Sequence, residues 1–164
     1  MPAGGTGLAF AAALAAASPA TAACPVELAI YRDRDGVAEI AFRPAAGSAA
    51  VTNKFQMAMR GGPLFEGVVM WTEEPARPYG QVMFNCPEGD VTGAELDACT
   101  LWQGVIYGVD GEGGVGLLPG EGEPAPSSII LSDLAYQMRG APAFSSAGLF
   151  TVPSDVFALS GCQE

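Results

Sequence analysis

The sequence predicts a mainly β fold, a single antiparallel β-sandwich or barrel-like domain with one or two short helices, stapled by disulfides. Three observations predict it. Most apolar runs are short, alternate with polar residues and end at Gly, Pro or Asp, as strands and turns do. Helix signals are confined to two short segments. The four cysteines sit behind an export-type leader, where an even count reads as two disulfides.

The leader is expected over residues 1–23. "LAFAAALAAAS" at 8–18 has the length of a signal-peptide apolar region, Pro19 breaks it, and "ATAAC" supplies small residues for cleavage after Ala23. The run is shorter than the roughly 20 apolar residues of a membrane span. The n-region "MPAGGTG" departs from the pattern in having no Lys or Arg. A rival reading makes Cys24 the lipidated cysteine of an envelope lipoprotein. Thr21 stands where such sites usually carry Leu, and lipidation would leave an odd number of thiols. Residues 24–164 then form one exported domain, periplasmic or extracellular, and the Ala- and Gly-rich composition suggests a bacterial source.

The elements follow in order. "CPVELAIY" alternates, with Val26, Leu28 and Ile30 expected inward. "RDRDG" turns the chain at Gly36, and "VAEIAFR" resumes with Ile40 and Phe42 inward. "NKFQMAMR" places Phe55, Met57 and Met59 on one face. "GGP" at 61–63 leads into "LFEGVVMW", and "RPYG" leads into "QVMFNC", with Val82, Phe84 and Cys86 on one face. Thr92 and Glu95 match the capping box that opens a helix, here "GAELDAC". "TLWQGVIYGV" reads as a strand, the Gly- and Pro-rich stretch 108–126 as a turn and a long loop, and "SSIIL" as a strand. Ser132 is expected to cap a helix "DLAYQMR" ending at Gly140. "GLFTV" and "DVFALSGC" are the last strand candidates. Roughly seven to nine strands result, and sandwich and barrel are both open.

Of the possible pairings, spacing favours Cys86–Cys99 as a local staple and Cys24–Cys162 as a clasp between the termini.

Composition excludes several functions. The net charge is −11, and no Lys or Arg lies between Arg77 and Arg139, a span holding half of the acidic residues. Nucleic acid binding needs clustered bases, so it is not expected. Without histidine, Ser-His-Asp and Cys-His triads and most catalytic zinc sites are ruled out. No C-x-x-C pair supports redox chemistry. The lone Lys54 reads as a solvated strand residue.

Several motifs satisfy a pattern without its context. "GEGGVG" at 111–116 is followed by prolines, not by the helix a dinucleotide site needs, and reads as a Gly-rich turn. Calcium is the sharpest cofactor idea, from "DRDG" at 33–36, "EGD" at 88–90 and "DGEGG" at 110–114, but none has full ligand spacing. Met57, Met59, Met70 and Met83 read as core rather than copper ligands. Trp71, Tyr79, Trp102 and Tyr107 read as core packing. Glu66, Glu73, Glu74, Glu95 and Asp97 are the carboxylates from which a glycan-hydrolase pair would have to come.

No catalytic, cofactor-binding or metal residue is therefore assigned, and no cofactor is expected. The expected role is a non-enzymatic binding or accessory module for a protein or small molecule. A carboxylate-dependent exported hydrolase and a lipid-anchored envelope protein are the alternatives.

Overall fold

The computed structural model describes Met1, residues 23–47 and residues 50–164. The expected leader, Met1 and Ala23 aside, lies outside the described residues. Among the described residues the elements are β1 (Ala29–Asp33), β2 (Ala38–Arg43), β3 (Val51–Met59), β4 (Leu64–Glu73), β5 (Ala76–Met83), α1 (Gly93–Cys99), β6 (Thr100–Val109), β7 (Val115–Leu117), β8 (Ser128–Leu131), α2 (Leu134–Gly140), α3 (Pro142–Ser146) and β9 (Val156–Cys162).

The architecture is the barrel. β1 to β6 pair in succession, β6 pairs with β8, β8 with β9, and β9 returns to β1, every pair antiparallel. This closes an eight-stranded up-and-down barrel and leaves β7 outside the ring as a flank on β6. Closure gives each ring strand two neighbours and so removes exposed edges.

A ring of this size has an interior that side chains can fill. Ile40 and Phe42 from β2, Phe55 and Met57 from β3, Phe65 from β4 and Phe157 from β9 are all buried. Tyr31 meets Phe42 edge-on at 5.8 Å, and Phe42 meets Phe55 at 5.5 Å between ring centres. Burial pushes the Tyr31 phenol pKa up, and its hydroxyl donates to the Pro126 carbonyl at 3.0 Å. Leu134 and Met138 of α2, Ala143 of α3, Leu149, Val26 and Leu118 join the same core.

Trp102 sits on the strand that completes the ring. Gly80 and Gly104 are cross-strand partners, and the indole lies against both. A Cβ on Gly104 would stand 2.9 Å from Trp102 Cζ2, and one on Gly80 would stand 3.0 Å from Cζ3 and 2.7 Å from Ile106 Cδ1. The indole N–H donates to the Ser132 carbonyl at 2.8 Å, tying β6 to the approach of α2.

Several expectations are corrected. On β1 the buried residues are Ala29, Tyr31 and Asp33, not Leu28 and Ile30. Val26–Leu28 forms a 3-10 turn, whose three-residue period resets the strand phase before Ala29. Ser132 does not cap α2: the N-cap is Asp133, in the left-handed region without a side-chain cap, while Asp155 accepts from the Ala135 N–H at 3.0 Å. "GLFTV" is not a strand: its residues follow α3 as turn and irregular chain. A third helix, α3, opens on Pro142 at its first turn just before that stretch. Val115–Leu117, expected within a loop, pairs with β6 as β7.

Adding a methyl under the indole tests the seat. Gly104→Ala is expected to lower unfolding free energy by about 1–3 kcal/mol, as overpacking does. Gly116→Ala, whose Cβ would meet nothing within 4 Å, is expected to change it by less than about 1 kcal/mol. Paired denaturant titrations measure the difference.

Candidate functional site

The barrel interior is a packed core, so attention moves to its outer wall. On an antiparallel sheet, directly paired residues share a face. Outward from β4 to β9, the register therefore lines up Met70 with Tyr79, Tyr79 with Val105, Tyr107 with both Leu117 and Ile130, and Ile130 with Val156. These side chains are half-buried or exposed, Leu117 by 44% and Val156 by 47%. Arg77 is the one charged residue among the outward positions of β5, β6 and β8. The opposite wall differs. Outward from β1, β2 and β3 stand Arg32, Glu39, Arg43 and Lys54, with an Arg32–Glu39 ion pair.

This one-sided wall does not fit a lipid-spanning barrel, which needs a polar lumen and an apolar band around the whole circumference. Among the described residues, no helix is long and apolar enough to cross a membrane. A contiguous apolar patch on one side is instead the signature of a docking surface. A depression of about 490 Å³ opens beside it, lined by Arg34, Ser154, Val156 and Ala158.

The sequence candidates fall elsewhere. Glu66 lies on the polar side of β4 and accepts from Gln56 at 2.8 Å, Glu73 and Glu74 lie at the β4–β5 turn, and Glu95 and Asp97 lie on α1. Of the carboxylates considered for glycan hydrolysis, Glu66 and Glu73 share β4, Glu74 follows in the turn, and Glu95 and Asp97 share α1. No group of three or more Cys, Asp or Glu residues is placed to hold a metal ion among the described residues. In the Gly-rich hairpin, Asp110 Oδ1 accepts from the Glu112 N–H at 2.9 Å and the Gly114 N–H at 2.8 Å. That carboxylate closes a turn, with Gly113 at φ +89°. Lys54 lies on the outer wall of β3; Met57 and Met59 are in the core, whereas Met70 and Met83, also expected there, are half-buried on the outer face.

The aromatics divide. Trp102 is in the core, but Trp71, expected there, is 49% exposed, because β4 runs past the ring toward its hairpin tip. Tyr79 and Tyr107, also expected in the core, are half-buried on the outer wall. The one sequence signal for that wall is that "TLWQGVIYGV" and "SSIIL" are apolar on both faces. Such runs imply cover on both sides, and the barrel covers only one.

Both cysteine pairs are bonded, Cys24 to Cys162 and Cys86 to Cys99, with Cα separations of 5.8 and 5.2 Å. Since the clasp uses the Cys24 sulfur, a lipid thioether there and this bond exclude one another. The staple ties the β5 exit to the last residue of α1. Thr92 caps that helix: its hydroxyl accepts from the Glu95 N–H at 3.3 Å, and Glu95 Oε2 accepts from the Thr92 N–H at 2.9 Å and hydroxyl at 2.7 Å. The Thr92 backbone and side-chain hydrogen bonds hold the Glu95 carboxyl below its usual pKa. Comparison with known proteins gave no match to a family model, a curated protein or a solved structure.

Two outcomes follow. In the chain-entropy picture, replacing Cys24 and Cys162 by Ala is expected to cost about 5 kcal/mol, and replacing Cys86 and Cys99 about 3 kcal/mol, because the clasp closes the longer loop. Denaturant titration gives the order. A carboxyl with a lowered folded pKa contributes stability above its unfolded pKa and loses it as pH falls through the folded value. Amide exchange at Glu95 and Leu96 is therefore expected to quicken, at matched intrinsic rate, as pH drops below the ordinary carboxylate range. Thr92→Ala is expected to abolish that dependence.

Proposed function

We propose that this chain is a non-enzymatic binding or accessory module that works in an oxidising compartment, exported to the periplasm or beyond. It docks a partner protein on the outer wall centred on Tyr79, Val105 and Tyr107. The observation that carries the reading is a barrel filled by its own side chains beside a continuous, nearly uncharged apolar outer wall. A filled lumen leaves no interior site for a ligand, and an exposed apolar patch on a monomer costs solubility unless something covers it. Two disulfides support the compartment, since such bonds persist where thiols are not kept reduced.

Site-specific photocrosslinking in the producing cell tests the docking surface. A benzoylphenylalanine at Tyr79 or Tyr107 is expected to give a discrete protein adduct, and one at Arg43 or Lys54 none. Val105→Lys is expected to remove the Tyr107 adduct while leaving the melting temperature within a few degrees. Adducts from the charged wall alone, or equally from both walls, would overturn the reading.

A further inference from the structure

β7 lies outside the closed ring and, among the described residues, pairs only with β6. The hydrogen bonds at its two ends set the phase of the pairing. Asp110 N–H donates to the Gly114 carbonyl at 2.9 Å, and Leu118 N–H donates to the Ile106 carbonyl at 3.2 Å. In an antiparallel ladder the bonded pairs alternate. Gly108 and Gly116 are then the next bonded pair, and the N–H and C=O groups of Val115 and Leu117 point away from β6. Those groups form an open strand edge. Val115 is 65% exposed and Leu117 44%. Leu117 lies beside Tyr107, so the edge continues directly from the apolar wall.

Natural edges are commonly blunted by lysine, proline or a bulge. β7 contains none of these and is protected by shortness alone. The neighbouring strand does not cover it: β5 pairs with β6 only from Tyr79 onward, just after Pro78, which has no N–H to offer. Charge identifies the guest. Exposed Asp110 and Glu112 lie at one end of β7, and exposed Glu121 and Glu123 follow the other. No Lys or Arg occurs from 78 to 138. A second copy pairing antiparallel on this edge would set acids against acids.

We propose that β7 accepts an extended, basic polypeptide segment of a partner protein as an added strand. The edge groups of Val115 and Leu117 supply the backbone hydrogen bonds, Val115, Leu117 and Tyr107 take apolar side chains at alternate positions, and the flanking carboxylates take Lys or Arg. This rests on the outer wall being the docking surface and names the segment that reaches it.

The probe is a fluorescent peptide of alternating lysine and valine, titrated by anisotropy against the disulfide-bonded protein. Saturable binding is expected, weakened about tenfold or more by exchanging lysine for glutamate. Raising salt from about 50 to about 500 mM is expected to weaken it at least about fivefold. The Val115 and Leu117 amides should shift and gain exchange protection. Val115→Pro removes an edge N–H without touching the β6 ladder and is expected to weaken binding about tenfold. An N-methylated peptide makes the same test on unaltered protein if that variant does not fold. Equal binding of the lysine and glutamate peptides, or unchanged binding to Val115→Pro or by the N-methylated peptide, would overturn strand addition, as would absence of saturable binding. So would a concentration-dependent dimer that protects Val115 and Leu117 without peptide. Binding that survives Val115→Pro but is lost in Val105→Lys overturns strand addition while leaving the apolar wall as the docking surface. Failure of the wall itself appears separately, in the crosslinking pattern.

Discussion

The Trp102 indole, seated on a floor of two paired glycines, is the contact on which the rest of the structure depends. It occupies the strand that joins the β1–β5 meander to β8 and β9. Any side chain at Gly80 or Gly104 would press into the ring, so the two strands and the indole fit together only with glycine at both positions. The ring's one polar atom is satisfied by the Ser132 carbonyl. That bond ties β6 to the residue before the α2 N-cap, and Leu134 and Met138 of that helix join the core. Burying an indole without a partner for its N–H would forfeit much of the gain from its apolar area.

The two disulfides constrain different things. The Cys24–Cys162 bond joins the chain ahead of β1 to the end of β9, beside the seam where these two strands pair. The Cys86–Cys99 bond holds the insertion between β5 and β6 against the start of β6. One bond thus lies at the β1–β9 seam and the other at the β5–β6 junction. A ring held in this way has little freedom to open, which argues that recognition uses a preformed exterior.

That exterior is uneven for a physical reason. Strands β1 to β3 alternate apolar and charged residues, so their outer face belongs to water. Strands β6 and β8 place Val105, Tyr107 and Ile130 outward as well as Trp102, Ile106 and Ile129 inward. Asp110, Glu112, Glu121 and Glu123 sit on the turn and loop on either side of β7, and Arg32, Arg43 and Lys54 sit on the far wall. A partner with an apolar centre and a basic margin matches both properties at once.

Much of this was legible in the residues. Gly36 at its turn, the Phe55–Met59 alternation and the capping box of Thr92 and Glu95 are local features, set by turn geometry, strand period and orphan helix N–H groups. The two cysteine pairs likewise follow from spacing. The phase of β1 was not legible, because one 3-10 turn inverts a two-residue period. Nor was β7, whose three residues lie among glycines and prolines that read as loop. The sequence by itself determined the β-rich class and most of its strands, among them β6 and β8, which carry apolar residues on both faces. Only the tertiary structure decided that the sheet closes into a ring with one of those faces left open. Closure depends on non-local pairings, β9 with β1 and β5 with β6, and no local period encodes which strand lies beside which.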